Sequence, residues 1–530
     1  MGKIVDIARH YHVLEMVLLL LLGIIAIIRM THFEGIIIDA FFYHVMQGTI
    51  IMIWVVSCIL ILLSVRYRDM CGRSLLKDRR VYNRTIPELF RYFRDGEPYR
   101  MQERELPVLS WKNAHGVILG KKGKRLVYRP TSEGHYDGAN FALFALPGGG
   151  KTTSQIIPSA MQFGGSVLAI DIKGDIYNAV KDNRQIKVFA PDDPEHSCTF
   201  NPLYGIESMS VTERKVLIEQ IAAILVPEDK HGKYFVEGGR DCFCGIALYM
   251  LEQDIGTTFP DIVQAILMRE AVSWITEIYN SDCSVAQEYT NSYYGTNETN
   301  VSGAYGEMRK RVRTFCSDEL MSLLVSDDDS ISPATLDAGS DIYIELPQHK
   351  VDFYSPITTI LVQRFMSSLM QRQDKSSGEN LQSVLFLLDE FPQLQFDFKT
   401  LSAALSTLRS KSVSIFMAQQ SISQLINRYG ESAQREIIDT CQYISIMSVQ
   451  DPQSRQFFQE LLGERKVLKV TSGLSGTEQE KGKLTKTRGA VEVREPVFQQ
   501  GDFANLGDDV IVYANGKYIQ AQKTYYFKKN

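Results

Sequence analysis

The chain has 530 residues, too many for one ordinary domain, and a formal net charge of −5 from 57 basic and 62 acidic side chains. With 45% hydrophobic and 22% charged residues it has the composition of a folded protein with a real core, which excludes a chain disordered throughout. No global excess of positive charge marks a nucleic-acid binder, so any such surface has to be local, and the eight cysteines, scattered without a CxxC pair, read as reduced thiols rather than a zinc site or disulfide framework.

Residues 45–65 carry no charged side chain. At about 1.5 Å per residue they reach across the roughly 30 Å hydrocarbon core of a bilayer. The earlier apolar run, counted over residues 11–30, can also span, with Glu15 and Arg29 near the two interfaces. No small-residue cleavage site follows Ile28 and a second span comes directly after, so the pair reads as an uncleaved anchor rather than a signal peptide. Arg66, Arg68, Arg73, Lys77, Arg79 and Arg80 follow the second span, while the short loop between the spans holds only Arg29 among Lys and Arg. The positive-inside rule then places both termini in the cytoplasm. Residues 1–80 are expected to be a transmembrane helix hairpin with a basic flank, in the cytoplasmic membrane, and the chain from about residue 106 onward faces the cytosol.

The next apolar run, Phe141 to Leu146, leads into Ala145-Leu146-Pro147-Gly148-Gly149-Gly150-Lys151-Thr152-Thr153. Strand, glycine-rich turn, Lys-Thr and helix make the layout of a phosphate-binding loop. Its backbone N–H groups and helix N-terminus can wrap a triphosphate, of ATP or GTP. Lys151 would reach the β- and γ-phosphates and Thr152 would hold Mg2+. The usual loop begins with Gly where this chain has Ala145.

A helix is expected over residues 152–162, followed by buried strands at 166–170, 187–190, 341–346, 384–388, 413–417 and 443–447. Helical patterns at 356–372 and 398–408 separate several of them, which argues for an α/β fold with a mostly parallel sheet covered on both faces. Between about 205 and 332 the strand signal stops. Ser210 to Glu213 reads as a capping box, and residues 234–251 and 260–279 are helical in pattern, so this stretch is expected to be an inserted all-α domain. Residues 81–204 and 333–530 then make the two parts of the nucleotide-binding domain. Residues 467–495, rich in Gly, Ser, Thr and Lys, read as a flexible basic loop, before strands at 510–513 and 518–527.

The second half of a hydrolytic site is Asp389-Glu390, closing the apolar run Leu385 to Leu388. Two adjacent carboxylates at the end of a buried strand repel and desolvate one another, so packing alone does not account for them. Asp389 can bind Mg2+, and Glu390 can polarise the attacking water as general base. Gln420, past the next strand, is placed to contact the γ-phosphate. Arg409 precedes that strand; it reads either as a cation at a helix C-terminus or as an arginine finger for a neighbouring subunit.

These residues, in this order, resemble the type IV coupling proteins of conjugative DNA transfer, the TraG/TraD-like ATPases. The resemblance takes in the two-span anchor, the loop from Ala145 to Thr153, and Asp171, Lys173, Gly174 and Asp175 at a strand end. It continues through Asn201-Pro202-Leu203, the helix start Phe235 to Asp241, Asp389-Glu390-Phe391-Pro392, Gln420, Gln424 and the C-terminal stretch from Glu495 to Phe527. It implies a RecA/FtsK-like motor domain, an all-α domain on its cytosolic side and a membrane-anchored homo-hexamer that hydrolyses ATP. It also places Arg409 at the family's finger position. The partners it implies are single-stranded DNA with its relaxase in a relaxosome, or an effector protein, and the components of a type IV secretion channel. A basic lumen could draw on Lys121, Lys122, Lys124, Arg125, Lys481, Lys483, Lys486 and Arg488. An FtsK-type duplex DNA translocase and a nucleotide-gated cargo-docking protein without motor activity are the alternative readings.

Overall fold

A computed structural model describes residues 108–528, apart from stretches at 132–137, 228–232, 314–315, 374–380, 395 and 476–484. The expected membrane hairpin at 1–80 lies outside the described residues, and among these no helix is long and apolar enough to cross a membrane. Strands are numbered in chain order: β1 Val108–Leu109, β2 Gly116–Lys122, β3 Arg125–Pro130, β4 Asn140–Phe144, β5 Ser166–Asp171, β6 Ile186–Phe189, β7 Asp341–Glu345, β8 Val384–Leu388, β9 Val413–Gln419, β10 Tyr443–Ile446, β11 Glu464–Ser475, β12 Thr485–Pro496, β13 Asp509–Ala514 and β14 Lys517–Gln522.

One sheet runs in the order β1-β3-β2-β14-β13-β10-β4-β9-β8-β5-β7-β6. From β10 to β6 the pairs are parallel, and from β13 outward they are antiparallel. Strands β4, β5 and β8 are buried along their whole length, because helices cover both faces of the parallel part. Alternate residues of β8 serve the two cores: Val384, Phe386 and Leu388 face one, Leu385 and Leu387 the other. Burying a Leu or Phe of this kind stabilises by about 1.5–3 kcal/mol, so the continuous apolar runs seen in the sequence are what the parallel strands require.

Between β6 and β7 the chain is helical, from Val211–Leu225 to Asp318–Leu323. Ser210 and Glu213 close a capping box at the first helix, and Thr258 and Asp261 form a second one. This region is not set apart by its own core. Phe243 and Trp274 belong to the same apolar cluster as Phe365 and Phe386 beneath the sheet. The single helix expected at 260–279 is two, Phe259–Met268 and Ala271–Tyr279. The break is held from outside: Tyr305 Oη donates to the carbonyls of Ile266 and Arg269, at 2.7 and 3.0 Å, and the Arg269 guanidinium lies 3.9 Å over the Trp274 ring.

Two expectations near the C-terminus are corrected. Of residues 467–495, the stretches 467–475 and 485–495 are strand and not loop: β11 and β12 form a two-stranded sheet, grouped apart from the compact unit that holds the main sheet. The alternation of Thr and Val with charged residues over 485–494 is a strand period that the polar composition conceals. The last strand stops at Gln522 rather than at Phe527, and the segment after it turns toward the phosphate loop.

A buried ion pair ties three of these strands together. Arg184, just ahead of β6, pairs with Asp341 at the start of β7 and donates to the carbonyls of Phe163 and Gly165. Asp341 Oδ1 also accepts the N–H of Val167 in β5 at 2.9 Å. Burial raises the Asp341 carboxyl above its usual range, and Arg184 works against that rise. Replacing one partner strands the other charge. Arg184→Met is expected to lower the unfolding free energy by about 3–5 kcal/mol, read as a shift in the urea midpoint at constant slope.

Candidate functional site

The site forms at the C-terminal end of β4, where the strand order reverses: β9 lies on one side of β4 and β10 on the other. The loop leaves β4 with the Ala145 N–H bonded to Gln419 O at 3.1 Å and the Leu146 N–H bonded to Ser448 O at 3.0 Å. Gly149 N returns to Leu146 O at 2.8 Å. Gly148 and Gly150 have φ of 70° and 84°, a left-handed conformation that a Cβ would strain. Pro147 and Gly148 are exposed at the tip. The helix that follows opens with a π turn over Thr152–Ile156 before Ile157–Gln162.

Ala145 is the position where a glycine is usual. It is buried, it continues the strand ladder, and it is not among the positive-φ residues. The backbone here asks nothing that only glycine can supply.

Lys151 is 8% exposed and turns toward the end of β8. Its Nζ lies 2.9 Å from Asp389 Oδ1 and also pairs with Glu390 Oε1. Burial alone would push the ammonium down. Asp389 and Glu390 outweigh it, so the net shift is upward and Lys151 stays cationic. Thr152 Oγ1 donates to Asp389 Oδ2 at 3.0 Å. A hydroxyl and a carboxylate this close are the hard oxygen donors that Mg2+ takes when phosphate oxygens and water complete its shell, so these residues fit the ion.

Glu390 has φ of 52° and ψ of 43°, left-handed for a residue with a Cβ. Its N–H donates to Asp389 Oδ1 at 3.0 Å and its carbonyl accepts Gln393 N–H at 2.9 Å. The turn is fixed further by Phe391, which is fully buried. Gln420 Nε2 reaches Glu390 Oε2 at 3.3 Å and Oε1 at 3.4 Å, while the Gln420 N–H is held by Gln424 Oε1 at 3.0 Å. Thr153 packs back on the loop, its Oγ1 3.4 Å from Gly150 O.

The structure thus gathers Lys151, Thr152, Asp389, Glu390 and Gln420. It does not bring Arg409 to them. Arg409 is exposed in the 3-10 turn Leu408–Lys411, ahead of β9, while Gln420 follows that strand. Six residue steps at about 3.3 Å put roughly 20 Å between them.

Two neighbours were not among the residues expected at the site. Asp171 ends β5, one residue past the Ile170–Leu388 pair, as Asp389 comes one residue past the end of the adjacent β8. Burial raises its carboxyl, against hydrogen bonds from the N–H groups of Tyr177 and Lys173. Tyr525 is the other. A Cβ placed on Gly150 would lie 3.5 Å from the Tyr525 ring, the Tyr526 N–H bonds to Thr153 O at 3.2 Å, and Tyr525 Oη is anchored on Asp508 at 2.9 Å. The aromatic ending Tyr525-Tyr526-Phe527 was the available signal, and its alternation with β14 reads as strand.

Fold and site together define a P-loop α/β protein. The family model for type IV secretory system conjugative DNA transfer matches residues 101–530, and the chain belongs to that family. It is 22% identical over 422 residues to the type IV secretion system-coupling protein VirD4 of Bartonella henselae, covering 75% of this chain and 63% of that protein. It is 22% identical over 444 residues to the conjugal transfer protein TraG of Agrobacterium fabrum, covering 79% and 65%. The matched region therefore spans just under two thirds of these relatives. Among solved structures, the bacterial conjugative coupling protein TrwB lacking its N-terminal segment superposes with a TM-score of 0.57 at 17% identity, over 73% of this chain and 84% of that one. TrwB has also been solved with the ATP analogue ADPNP and with ADP and Mg2+.

The geometry at Ala145 gives a direct test. Ala145→Gly removes a buried methyl and adds backbone freedom without relieving any strain. It is expected to cost about 0.5–1 kcal/mol of stability and to leave nucleotide affinity within about twofold, measured by thermal melting and by titration with a fluorescent nucleotide.

Proposed function

We propose that this protein is a membrane-anchored ATPase that couples a DNA–relaxase or protein substrate to a type IV secretion channel and drives its transfer by ATP hydrolysis. One observation carries the reading. Lys151 and Thr152 of the phosphate loop meet Asp389 and Glu390 of a strand more than 230 residues away, at hydrogen-bond distance. TrwB, of the same fold, binds ADPNP, and ADP with Mg2+, which supports the same ligands at the matching loop here.

The chain's own groups divide the work. The loop N–H groups and Lys151 hold the β- and γ-phosphates. When the phosphates arrive, Lys151 gains a stronger anionic partner and Glu390 loses its counter-ion. Glu390 then accepts the proton of the attacking water as oxygen adds to the γ-phosphorus and the bond to ADP breaks. Gln420, at hydrogen-bond distance from Glu390, orients that water or the γ-phosphate. Mg2+, held by Thr152 and Asp389, would neutralise charge on the phosphate oxygens. Arg409 is too far along β9 to act in its own site; as a finger it would serve a neighbouring subunit, with the working form a ring and nucleotide at the subunit boundary.

The cytoplasmic-membrane anchor rests on the hydropathy of residues 11–30 and 45–65 and on the basic residues after them. DNA is favoured as cargo by the family's conjugative transfer description. Lys121, Lys122, Lys124 and Arg125 cluster at the β2–β3 turn, a basic tip of the kind that grips a phosphate backbone when repeated around a ring. Lys486 and Arg488 lie on β12, and Lys481 and Lys483 are outside the described residues.

Lys151→Ala and Glu390→Gln are both expected to abolish conjugative transfer with membrane insertion intact. Glu390→Gln should retain ATP while losing at least 100-fold in turnover; a Glu390→Gln protein that still supports transfer would leave only nucleotide-gated docking. Mixing Arg409→Ala subunits with Lys151→Ala subunits tests the boundary site. Each alone should be inactive, and mixed rings should regain part of the ATPase rate. Full activity of Arg409→Ala alone would remove the finger.

A further inference from the structure

The chain leaves the sheet for the helical region and comes back to it past one cavity of about 330 Å3. The outward path contributes Tyr204 and Met209, the return Ile331 and Pro333, and the helix Val351–Met370 forms one wall. On that helix and its C-cap, Arg364, Ser367, Ser368 and Gln371 line the cavity. Their spacing of three, four and seven puts them on a single stripe.

Arg364 is out of place as a structural residue. Its guanidinium is half-buried, with Nε shielded from solvent, and burial pushes it down only to about 10, so it remains charged at neutral pH. Among the described residues no carboxylate pairs with it. Nη2 donates to the carbonyl of Tyr204 at 2.5 Å, and Nε has no partner. Ser367 Oγ is likewise buried without a partner. Glu213 borders the cavity, but its carboxylate is taken by the N–H and Oγ of Ser210, at 2.8 and 2.7 Å, in the helix cap. A buried cation without a counter-ion is costly, and so is a buried hydroxyl without a bond. Phe200 and Phe365 supply apolar wall beside these groups. The volume is at the lower end of small-molecule sites, about 300–1,000 Å3.

We propose that this cavity binds a small organic anion, a carboxylate or phosphate monoester on a short apolar body, with Arg364 as its counter-ion and Ser367 as a hydrogen-bond donor. The guanidinium fork suits either head group. The site shares no residue with the phosphate loop, and it lies where the helical region joins the sheet.

The test is calorimetric titration of the full chain in nanodiscs with benzoate, phenyl phosphate and inorganic phosphate. It is run on the unmodified protein and on Lys151→Ala, which weakens phosphate binding at the nucleotide loop. Benzoate or phenyl phosphate should bind once per chain in both, and whichever binds more tightly identifies the head group. Inorganic phosphate should bind more weakly than phenyl phosphate. Arg364→Met should lower the affinity at least tenfold and Ser367→Ala about threefold. Arg364→Met should melt no lower than the unmodified protein, since it removes an unpaired buried charge; if it fails to fold, Arg364→Lys and Ser367→Ala decide the matter. The proposal is overturned by absence of saturable binding of both organic probes. It is equally overturned by affinity unchanged in Arg364→Met, or in Ser367→Ala and Arg364→Lys where those decide, or by binding lost in Lys151→Ala.

Discussion

Two carboxylates closing an apolar strand have to be neutralised, and in this protein Lys151 does it. Asp389 and Glu390 leave the fully buried β8 side by side, and the ammonium sits between their oxygens. Without it, mutual repulsion and lost hydration would push the strand end outward. With it, the phosphate loop is tied to β8 although β9 lies between β4 and β8 in the sheet. The left-handed Glu390 belongs to the same arrangement. A non-glycine residue there costs on the order of 1 kcal/mol, and the turn is kept by Phe391 in the core and by the Gln393 N–H on the Glu390 carbonyl.

The sheet order sets where this can happen. From β4 the chain skips two strand positions to β5, and from β9 it crosses over β4 to β10. Helices therefore depart to opposite sides of β4, leaving its C-terminal end uncovered. The loop at that end is anchored to both neighbours, by the Ala145 N–H on Gln419 O and the Leu146 N–H on Ser448 O, which fixes where its glycine turn stands. The antiparallel strands β13 and β14 then carry the chain end back to the same place, where Tyr525 leans on Gly150.

What was legible in the sequence follows from how each element is stabilised. Strands β5, β8 and β9 are buried on both faces, so their apolar runs could be recognised without knowing their neighbours. The phosphate loop and Asp389-Glu390 could be read because glycines and paired carboxylates at a strand end add nothing to packing and point directly to a ligand. Strands β11 and β12 could not, since their Lys-, Thr- and Gly-rich sequence has none of the continuous apolar runs that mark the buried strands. Nor could the break after Met268, which depends on Tyr305 reaching across from another helix. Tyr525 and the Arg184–Asp341 pair were hidden for the same reason: each acts through residues far away in the chain. Ala145 marks the reverse case, a departure from the usual motif whose backbone conformation turns out to suit alanine.

The distance between Arg409 and the loop bears on how hydrolysis could be linked to movement. Arg409 is carried on the turn that leads into β9, and Gln420 is at the other end of that same strand. The strand is rigid and buried throughout. In the proposed ring, a shift that moved Arg409 into or out of a neighbour's site would move the same subunit's Gln420 as well, because a packed strand transmits displacement instead of absorbing it. Gln420 in turn touches Glu390. On the function proposed above, one element would join the trans residue of one site to the general base of the next, the physical requirement for sites that fire in sequence around a ring.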